Sequence, residues 1–329
     1  MVAIIVLNWN GWGDTIDCLK SISQITYQDY FVFVGDNGSN NDSKQHISSY
    51  CKGCQQNPAW FRLDEKIVDS TLSKKIYLFD LKVNHGFAKG NNMLIKAASQ
   101  YNPDYYLLLN NDTVIEPSFL NKLVDYQSNN PSVKVLTPVI YYYNDRYKIW
   151  NAGGNLFWGI RKYHFADEYN PTITDNEFIS CTFITGCALF FVPEVLVEDH
   201  KLFTEDFFHG EEDFDFSLRM KKRRVKMGCV TRACIFHKVG GTSGNIGNKV
   251  GLTYCYYLNR FINLRHHLNF LSFYSFIVVY FPYVIRLLVS KGIPLKTAIC
   301  FYLKVILESH RLEGVSFEKF MQCVRKERI

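Results

Sequence analysis

Apolar residues in the first half of the chain fall into short solid runs separated by stretches with helical spacing. Val2–Leu7 is a continuous β-rich run, and Phe31–Val34, Ile76–Phe79 and Tyr105–Leu109 repeat the pattern. Between them, Ile16, Leu19 and Ile22 recur at helical spacing, as do the apolar positions of Gly90–Ser99 and Pro117–Tyr126. Solid runs followed by helical segments predict a mostly parallel sheet with helices on its faces. Residues 51–75 are polar and irregular and read as a surface insertion. Residues 133–207 read as mixed strands and loops, and Ala233–Phe236 as a further strand. Beyond about residue 250 the alternation gives way to long amphipathic helical segments. The expected division is therefore 1–250 and 251–329, with no internal repeat.

Composition changes this picture in two places. The 329 residues are 47% apolar and carry 21 Tyr and 26 Phe, which fits a folded enzyme and excludes extensive disorder. The net charge of +6 is concentrated at one end. Residues 251–329 hold 11 Lys and Arg against 4 Asp and Glu, whereas the rest is close to neutral. In an aromatic, leucine-rich segment that excess points to an anionic membrane surface rather than nucleic acid. Leu268–Val289 is long enough to span a bilayer, but Arg286 and Pro282 and its basic flanks suit a helix lying in the interface. Met1 leads straight into the first strand-like run without a basic leader. Ten scattered cysteines, with one CxxC at Cys51/Cys54 and no second, read as buried thiols in a reducing compartment. The expectation is a cytoplasmic protein held peripherally at the inner face of the plasma membrane.

Polar clusters follow three of the strands: Asn8-Trp9-Asn10, Asp36-Asn37-Gly38-Ser39 and Asn110-Asn111-Asp112. Open α/β sheets bind ligands at the carboxyl ends of their strands, so these clusters mark the expected cleft. No GxGxxG or P-loop motif occurs, which removes dinucleotide and P-loop readings. Asp112 either coordinates Mg²⁺ or Mn²⁺ together with substrate phosphates, or forms a turn before the next helix. His237 ends another strand. It is either a satisfied histidine or a second metal ligand, and Lys238 with the loop Gly240-Gly241-Thr242-Ser243-Gly244 offers donors to a diphosphate. Among Glu211-Glu212-Asp213, a carboxylate can take the proton of an attacking hydroxyl. Asp215 and Arg219 are four apart and read as an intrahelical ion pair, leaving Asp213 as the base with Glu212 in support. Asp36 can accept the N3–H of a pyrimidine or build a plain turn. His85–Asn92 can cradle a ribose or phosphate, or cap the next helix.

These pieces, in this order, resemble the family 2 inverting glycosyltransferases of the GT-A fold, most closely the bacterial rhamnosyltransferase-like branch. The resemblance rests on Ile4–Asn10, Asp36–Ser39, Asn84–Asn92, Leu108–Asp112, Thr185–Ala188, Glu212–Asp215 with Arg219, and His237 with Gly240, Gly241 and Ser243. It implies a nucleotide-diphospho-sugar transferase fold, a mostly parallel mixed sheet flanked by helices, followed by a C-terminal helical segment. It further implies that Asn8, Asp36, Asn37, Lys89 and Asn111 lie at the nucleotide, and that Asp112 and His237 hold Mg²⁺ or Mn²⁺. His237, Lys238 and Ser243 would meet the diphosphate, and Asp213 would be the catalytic base. The donor would be a dTDP-linked rhamnose or a UDP-linked hexose. The acceptor would be a polyprenyl-diphosphate-linked saccharide in surface polysaccharide synthesis, and a homodimer is compatible. Asn110 departs from the family by replacing the first acid of its DxD motif. Two competitors remain at this stage. A nucleotidyltransferase would carry a basic glycine-rich loop after the first strand, where this chain has no Lys or Arg before Lys20. A non-catalytic sugar- or lipid-binding protein would not need acids and a histidine at strand ends.

Overall fold

The computed structural model describes residues 1–65, 74–169, 173–239 and 249–325. In chain order the elements are β1 (Val2–Asn8), α1 (Trp12–Ile22), β2 (Tyr30–Asp36), α2 (Ser43–Gly53), β3 (Trp60–Phe61), β4 (Ile76–Asp80), α3 (Gly86–Ser99), β5 (Tyr105–Asn110), β6 (Thr113–Ile115) and α4 (Phe119–Asn129). They continue with β7 (Val133–Tyr142), β8 (Ile149–Asn151), β9 (Gly154–Phe157), β10 (Ile160–Tyr163), β11 (Phe178–Cys181), β12 (Ala188–Phe191), α5 (Glu212–Lys222) and β13 (Lys226–His237). The chain closes with α6 (Lys249–His267), α7 (Phe270–Ser290), α8 (Leu295–Arg311) and α9 (Phe317–Arg325).

The solid apolar runs form strands because both sheet faces are covered. Along β1, Ala3 and Ile5 enter one core cluster while Val2, Ile4 and Val6 enter another. Phe31 and Phe33 divide from Val32 and Val34 in the same way on β2. A strand buried on both faces has no reason to alternate polar and apolar residues. The main sheet runs β11-β13-β7-β12-β5-β1-β2-β4-β3, with β6 paired to β13 and β8 to β7. Pairings among β3, β4, β2, β1 and β5 are parallel. Antiparallel β12 enters between β5 and β7. This mixed sheet with flanking helices is the GT-A fold.

Register decides what meets at the sheet edge. Asn8 pairs with Asp36 across β1 and β2, and Leu7 with Asn110 across β1 and β5. On the far side, His237 pairs with Thr113 on β6, which brings it beside Asp112. The C-terminal helices are present where the amphipathic pattern places them, and the core around Tyr254, Phe261, Phe276 and Tyr302 also takes in Leu156, Phe183, Phe207 and Phe214 from the preceding part of the chain. These helices are also joined to the rest of the chain by hydrogen bonds. Val315 accepts a hydrogen bond from the Phe208 amide at 2.9 Å. Asn259 donates to the carbonyls of His209 (3.0 Å) and Gly210 (2.8 Å). The helical region beyond residue 250 therefore supplies one wall of the acidic loop.

Candidate active site

Three strand ends are tied together by one polar network. The Asn8 amide nitrogen donates to Asp36 Oδ2 at 2.8 Å and Ser39 Oγ at 3.2 Å. Its oxygen accepts from Thr15 Oγ1 at 2.8 Å and from the Gly11 amide at 3.2 Å. Asn111 reaches the same Thr15 hydroxyl at 2.9 Å. Asp36 also accepts from the Ser39 amide and hydroxyl at 2.9 and 2.7 Å. Buried polar groups need such partners, and this network gives β1, β2 and β5 a common rigid edge. Asn8 and Asp36 are fully enclosed and Asn37 nearly so. In this conformation their side chains are engaged with one another and brace the edge of the sheet. Asn37 holds Asn84, His85 and Gly86 through three further bonds. Lys89 is exposed on the first turn of α3.

Asp112 and His237 do meet. Their Oδ1 and Nε2 atoms are 3.1 Å apart, and both side chains are largely buried. The Lys238 amide donates to the Asp112 carbonyl at 2.9 Å, which locks the two segments in register. Burial works against a charged His237, but the Cys187 thiol and the Asp112 carboxylate facing it push the imidazole up to about 10. Trp150 packs edge-on against the ring at 4.5 Å. Asp112 Oδ1 is buried and accepts no hydrogen bond among the described residues. Without a cation the pair is held together by the proton on His237, and a divalent cation bound between the Asp112 oxygen and the imidazole nitrogen would take that proton's place. Among the described residues no cluster of three or more such groups forms a complete ligand set, so a cation here would draw its remaining oxygens from substrate phosphate and water.

Lys238 is placed differently from the sequence expectation. Its ammonium sits 2.8 Å from Asp14 and 2.9 Å from Asp17, both on α1. Two carboxylates already neutralise the charge assigned to a diphosphate, so in this conformation Lys238 braces α1 against the end of β13. Ser243 and the rest of the glycine loop lie outside the described residues.

The acidic loop begins at a sharp turn. Gly210 (φ +87°) and Glu211 (φ +72°) both take left-handed backbone, and α5 starts directly after them. For glutamate that conformation costs about 1–2 kcal/mol. Helix α6 holds it there: Asn263 donates to the Glu211 carbonyl at 3.1 Å, and Arg260 pairs with the Glu211 carboxylate. Arg161 on β10 reaches Glu211 Oε1 at 3.1 Å and Asp213 Oδ1 at 3.6 Å. Asp213 keeps 20% of its side chain exposed, whereas Glu211 has none. Burial raises the Asp213 pKa, against the pull of Arg161. Burial also pushes the Glu212 carboxyl up to about 8, aided by the neighbouring Asp213 charge. Asp215 forms the expected pair with Arg219 at 2.8 Å. It also accepts from Thr204 at 2.6 Å and from His267 at 2.8 Å. Burial opposes the Asp215 charge, but His267, Arg219 and Thr204 hold the carboxyl at about 2.

The turn before β12 joins the two halves of the site. The Gly186 amide bonds to Asp213, and the Cys187 thiol stands beside His237 within the fields of Asp112 and Asp213. Asp112, His237 and Asp213 are thus gathered around Thr185-Gly186-Cys187. Sequence reading missed Arg161, Asn259, Arg260 and Asn263. A signal existed for the last three: Asn259 and Asn263 are four apart on one face of α6 within the otherwise aromatic and aliphatic run Tyr256–Leu264, with Arg260 between them.

An acidic loop, a carboxylate–imidazole pair and a braced polar edge thus lie at the carboxyl ends of the strands of a GT-A sheet. The Glycosyl transferase family 2 model matches residues 3–196, and that of Glycosyl transferase family group 2 matches residues 105–307. The chain belongs to glycosyl transferase family 2, and its activity is sugar transfer. No curated protein matches the sequence. Among solved structures it is similar to S. aureus TarS 1–349 (TM-score 0.57, 13% identity, 94% of this chain and 80% of that one). It is also similar to the mannosyltransferase PcManGT of Pyrobaculum calidifontis with GDP-Man and Mn²⁺ (TM-score 0.54, 11% identity, 95% and 86%). GalNAc-T7 with UDP, GalNAc and Mn²⁺ gives a TM-score of 0.57 at 16% identity, with 98% of this chain aligned to 56% of that protein. Identities this low establish a common fold.

Proposed function

We propose that the protein is an inverting, metal-assisted glycosyltransferase. It moves a sugar from a nucleoside diphosphate to a hydroxyl of a saccharide acceptor, in a single in-line displacement. The observation that carries this reading is the meeting of Asp112, His237 and Asp213 around one turn. The acceptor oxygen attacks the anomeric carbon, its proton passes to the Asp213 carboxylate, and the bond to the diphosphate breaks with the electron pair leaving on the nucleotide. Asp213 is suited to this because it is held at the cleft by the Gly186 amide, keeps an exposed edge and has a raised proton affinity. Asp112 and His237 would hold Mg²⁺ or Mn²⁺, which neutralises charge on the departing diphosphate. Mn²⁺ accompanies the nucleotide sugar or nucleotide in PcManGT and GalNAc-T7, which supports this assignment.

Asp213→Asn tests the reading. Transfer is expected to fall by about 10²–10⁴-fold, the usual contribution of a general base, while donor binding persists. Donor binding is followed as a rise in melting temperature with Mn²⁺ present. Near wild-type turnover in Asp213→Asn would remove the assignment. The donor is proposed to be dTDP-rhamnose, with a UDP-hexose as the second reading because UDP accompanies both TarS and GalNAc-T7. The same melting assay with dTDP-rhamnose, UDP-hexoses and GDP-mannose ranks them. The acceptor is proposed to be lipid-linked, for reasons that belong to the whole molecule and are taken up below.

A further inference from the structure

We propose that Arg161 is a positioning residue for proton transfer, holding Asp213 in its ionised, base-competent form; this rests on Asp213 being the base. The geometry carries it. Arg161 lies on the inner face of the β9–β10 hairpin, and one of its guanidinium nitrogens faces both Glu211 (3.1 Å) and Asp213 (3.6 Å). Another donates to the Tyr256 hydroxyl at 3.2 Å. The rings of Tyr163, Phe183 and Tyr256 surround the guanidinium carbon at 5.6, 5.3 and 5.6 Å. An arginine boxed in this way is fixed in place rather than recruited from solvent.

Charge balance says what it does. The titratable groups facing Asp213 are Arg161 and Tyr163 from β10, Cys187 before β12, Glu211 and Glu212 beside it, and Tyr256 and Arg260 from α6. Glu212 is protonated near neutral pH, and burial keeps the thiol and the two phenols neutral. Two arginines then oppose two carboxylates, Glu211 and Asp213, while Asp112 and His237 across the turn offset each other as a pair. Arg260 is committed to Glu211 by direct contact. Removing Arg161 leaves two buried anions with one cation, and the site then regains neutrality by taking up a proton. Asp213, without a dedicated cation, is where that proton goes, and a protonated Asp213 accepts none from the acceptor hydroxyl.

The test is the pH dependence of kcat/KM in the full-length protein. In Arg161→Gln the acidic limb should move up by about one unit or more, a roughly tenfold loss at pH values on the acid side of the wild-type limb that is recovered at alkaline pH. Arg161→Lys should restore most of the wild-type profile. Tyr256→Phe, a milder change that loosens Arg161, should move the limb the same way by less, and keeps the test open if Arg161→Gln folds poorly. Losses in both Arg161→Gln and Tyr256→Phe that are uniform at every pH would overturn the proposal. Retained activity in Asp213→Asn would instead overturn the underlying assignment of the base, whatever the arginine variants show.

Discussion

Burial raises the Glu212 carboxyl, the neighbouring Asp213 charge adds to it, and no cation offsets either, since Arg161 and Arg260 face Glu211 and Asp213 instead. Oε2 of Glu212 is buried without a hydrogen-bond partner among the described residues. The folded protein therefore keeps a proton on Glu212 up to about pH 8, whereas the unfolded chain releases it near 4.5. A carboxyl raised on folding adds stability that is full below the unfolded pKa and is lost as pH climbs through the folded one. Glu212→Gln imitates the protonated acid at every pH. The variant should gain on wild type progressively between about pH 4.5 and pH 8, by on the order of a few kcal/mol, and hold that lead above. Melting curves across this range check it. A stability difference that does not change with pH would show that Glu212 is ionised in the folded protein. Transfer should be altered far less than by Asp213→Asn, since Asp213 alone of the two has an exposed edge and the Gly186 amide.

At the level of elements, the site is an agreement between three segments distant in sequence, and Gly86 is where two of them touch. Its φ is +78°, and a Cβ there would lie 2.3 Å from the Phe208 carbonyl oxygen. The Phe87 amide donates to that same carbonyl at 3.2 Å. Gly86→Ala should cost about 2 kcal/mol or more from left-handed strain and the clash combined, and should slow transfer by displacing the loop that carries Asp213. A wild-type melting temperature together with wild-type turnover would refute this. The same contact shows what sequence could reveal. His85–Asn92 stood out as polar and glycine-rich, but the reason for Gly86 lies in a backbone more than a helix away. The parallel strands were legible because β1, β2, β4 and β5 are apolar on both faces, and their polar ends mark the cleft edge directly. Helix α2 was not: only Ser43, Ile47 and Cys51 are buried in it, too sparse a stripe to set a period. Nor was the β9–β10 hairpin, whose outward Phe157 and Ile160 disguise the alternation that turns Arg161 inward. The pairing of Asp112 with His237 was visible as two strand ends but needed the β6–β13 register to become a contact. Asp36 and Lys238 carried the right chemistry for a nucleotide, and their partners, Asn8 and Ser39 in one case and Asp14 and Asp17 in the other, are fixed only by tertiary packing.

For the whole molecule, the outstanding surface is the outward side of α7 and α8. Helix α7 has a mean hydropathy of 1.7 over its most apolar window, yet only 28% of that window is buried. Phe273, Phe276, Val284, Ile285 and Leu288 pack inward, while Leu271, Val278, Val279 and Tyr283 are 77, 71, 60 and 56% exposed. On α8, Leu295, Leu303 and Leu307 are exposed among Lys296, Lys304 and Arg311. An apolar strip about 30 Å long, bordered by lysine and arginine, matches a leaflet that offers acyl chains and anionic headgroups together. Because its other face is packed against its own chain, α7 is proposed to lie in the interface rather than cross it. This would place a lipid-linked acceptor beside the acidic loop, which α6 already contacts through Asn259, Arg260 and Asn263. That contact also rules out deletion of residues 251–329 as a test, since it would strip the loop of its support. Substitution of exposed residues avoids the problem. Full-length protein should float with vesicles containing anionic lipid, less with zwitterionic vesicles and less at high salt, as expected when each basic residue near the surface contributes about 1 kcal/mol. Val278→Glu with Leu307→Glu should abolish flotation while leaving transfer to a soluble acceptor intact. Equal flotation of the double variant and the wild type would dismiss the membrane role. A doubled mass in sedimentation that these two substitutions halve, without vesicle binding, would assign the strip to a second copy of the chain instead.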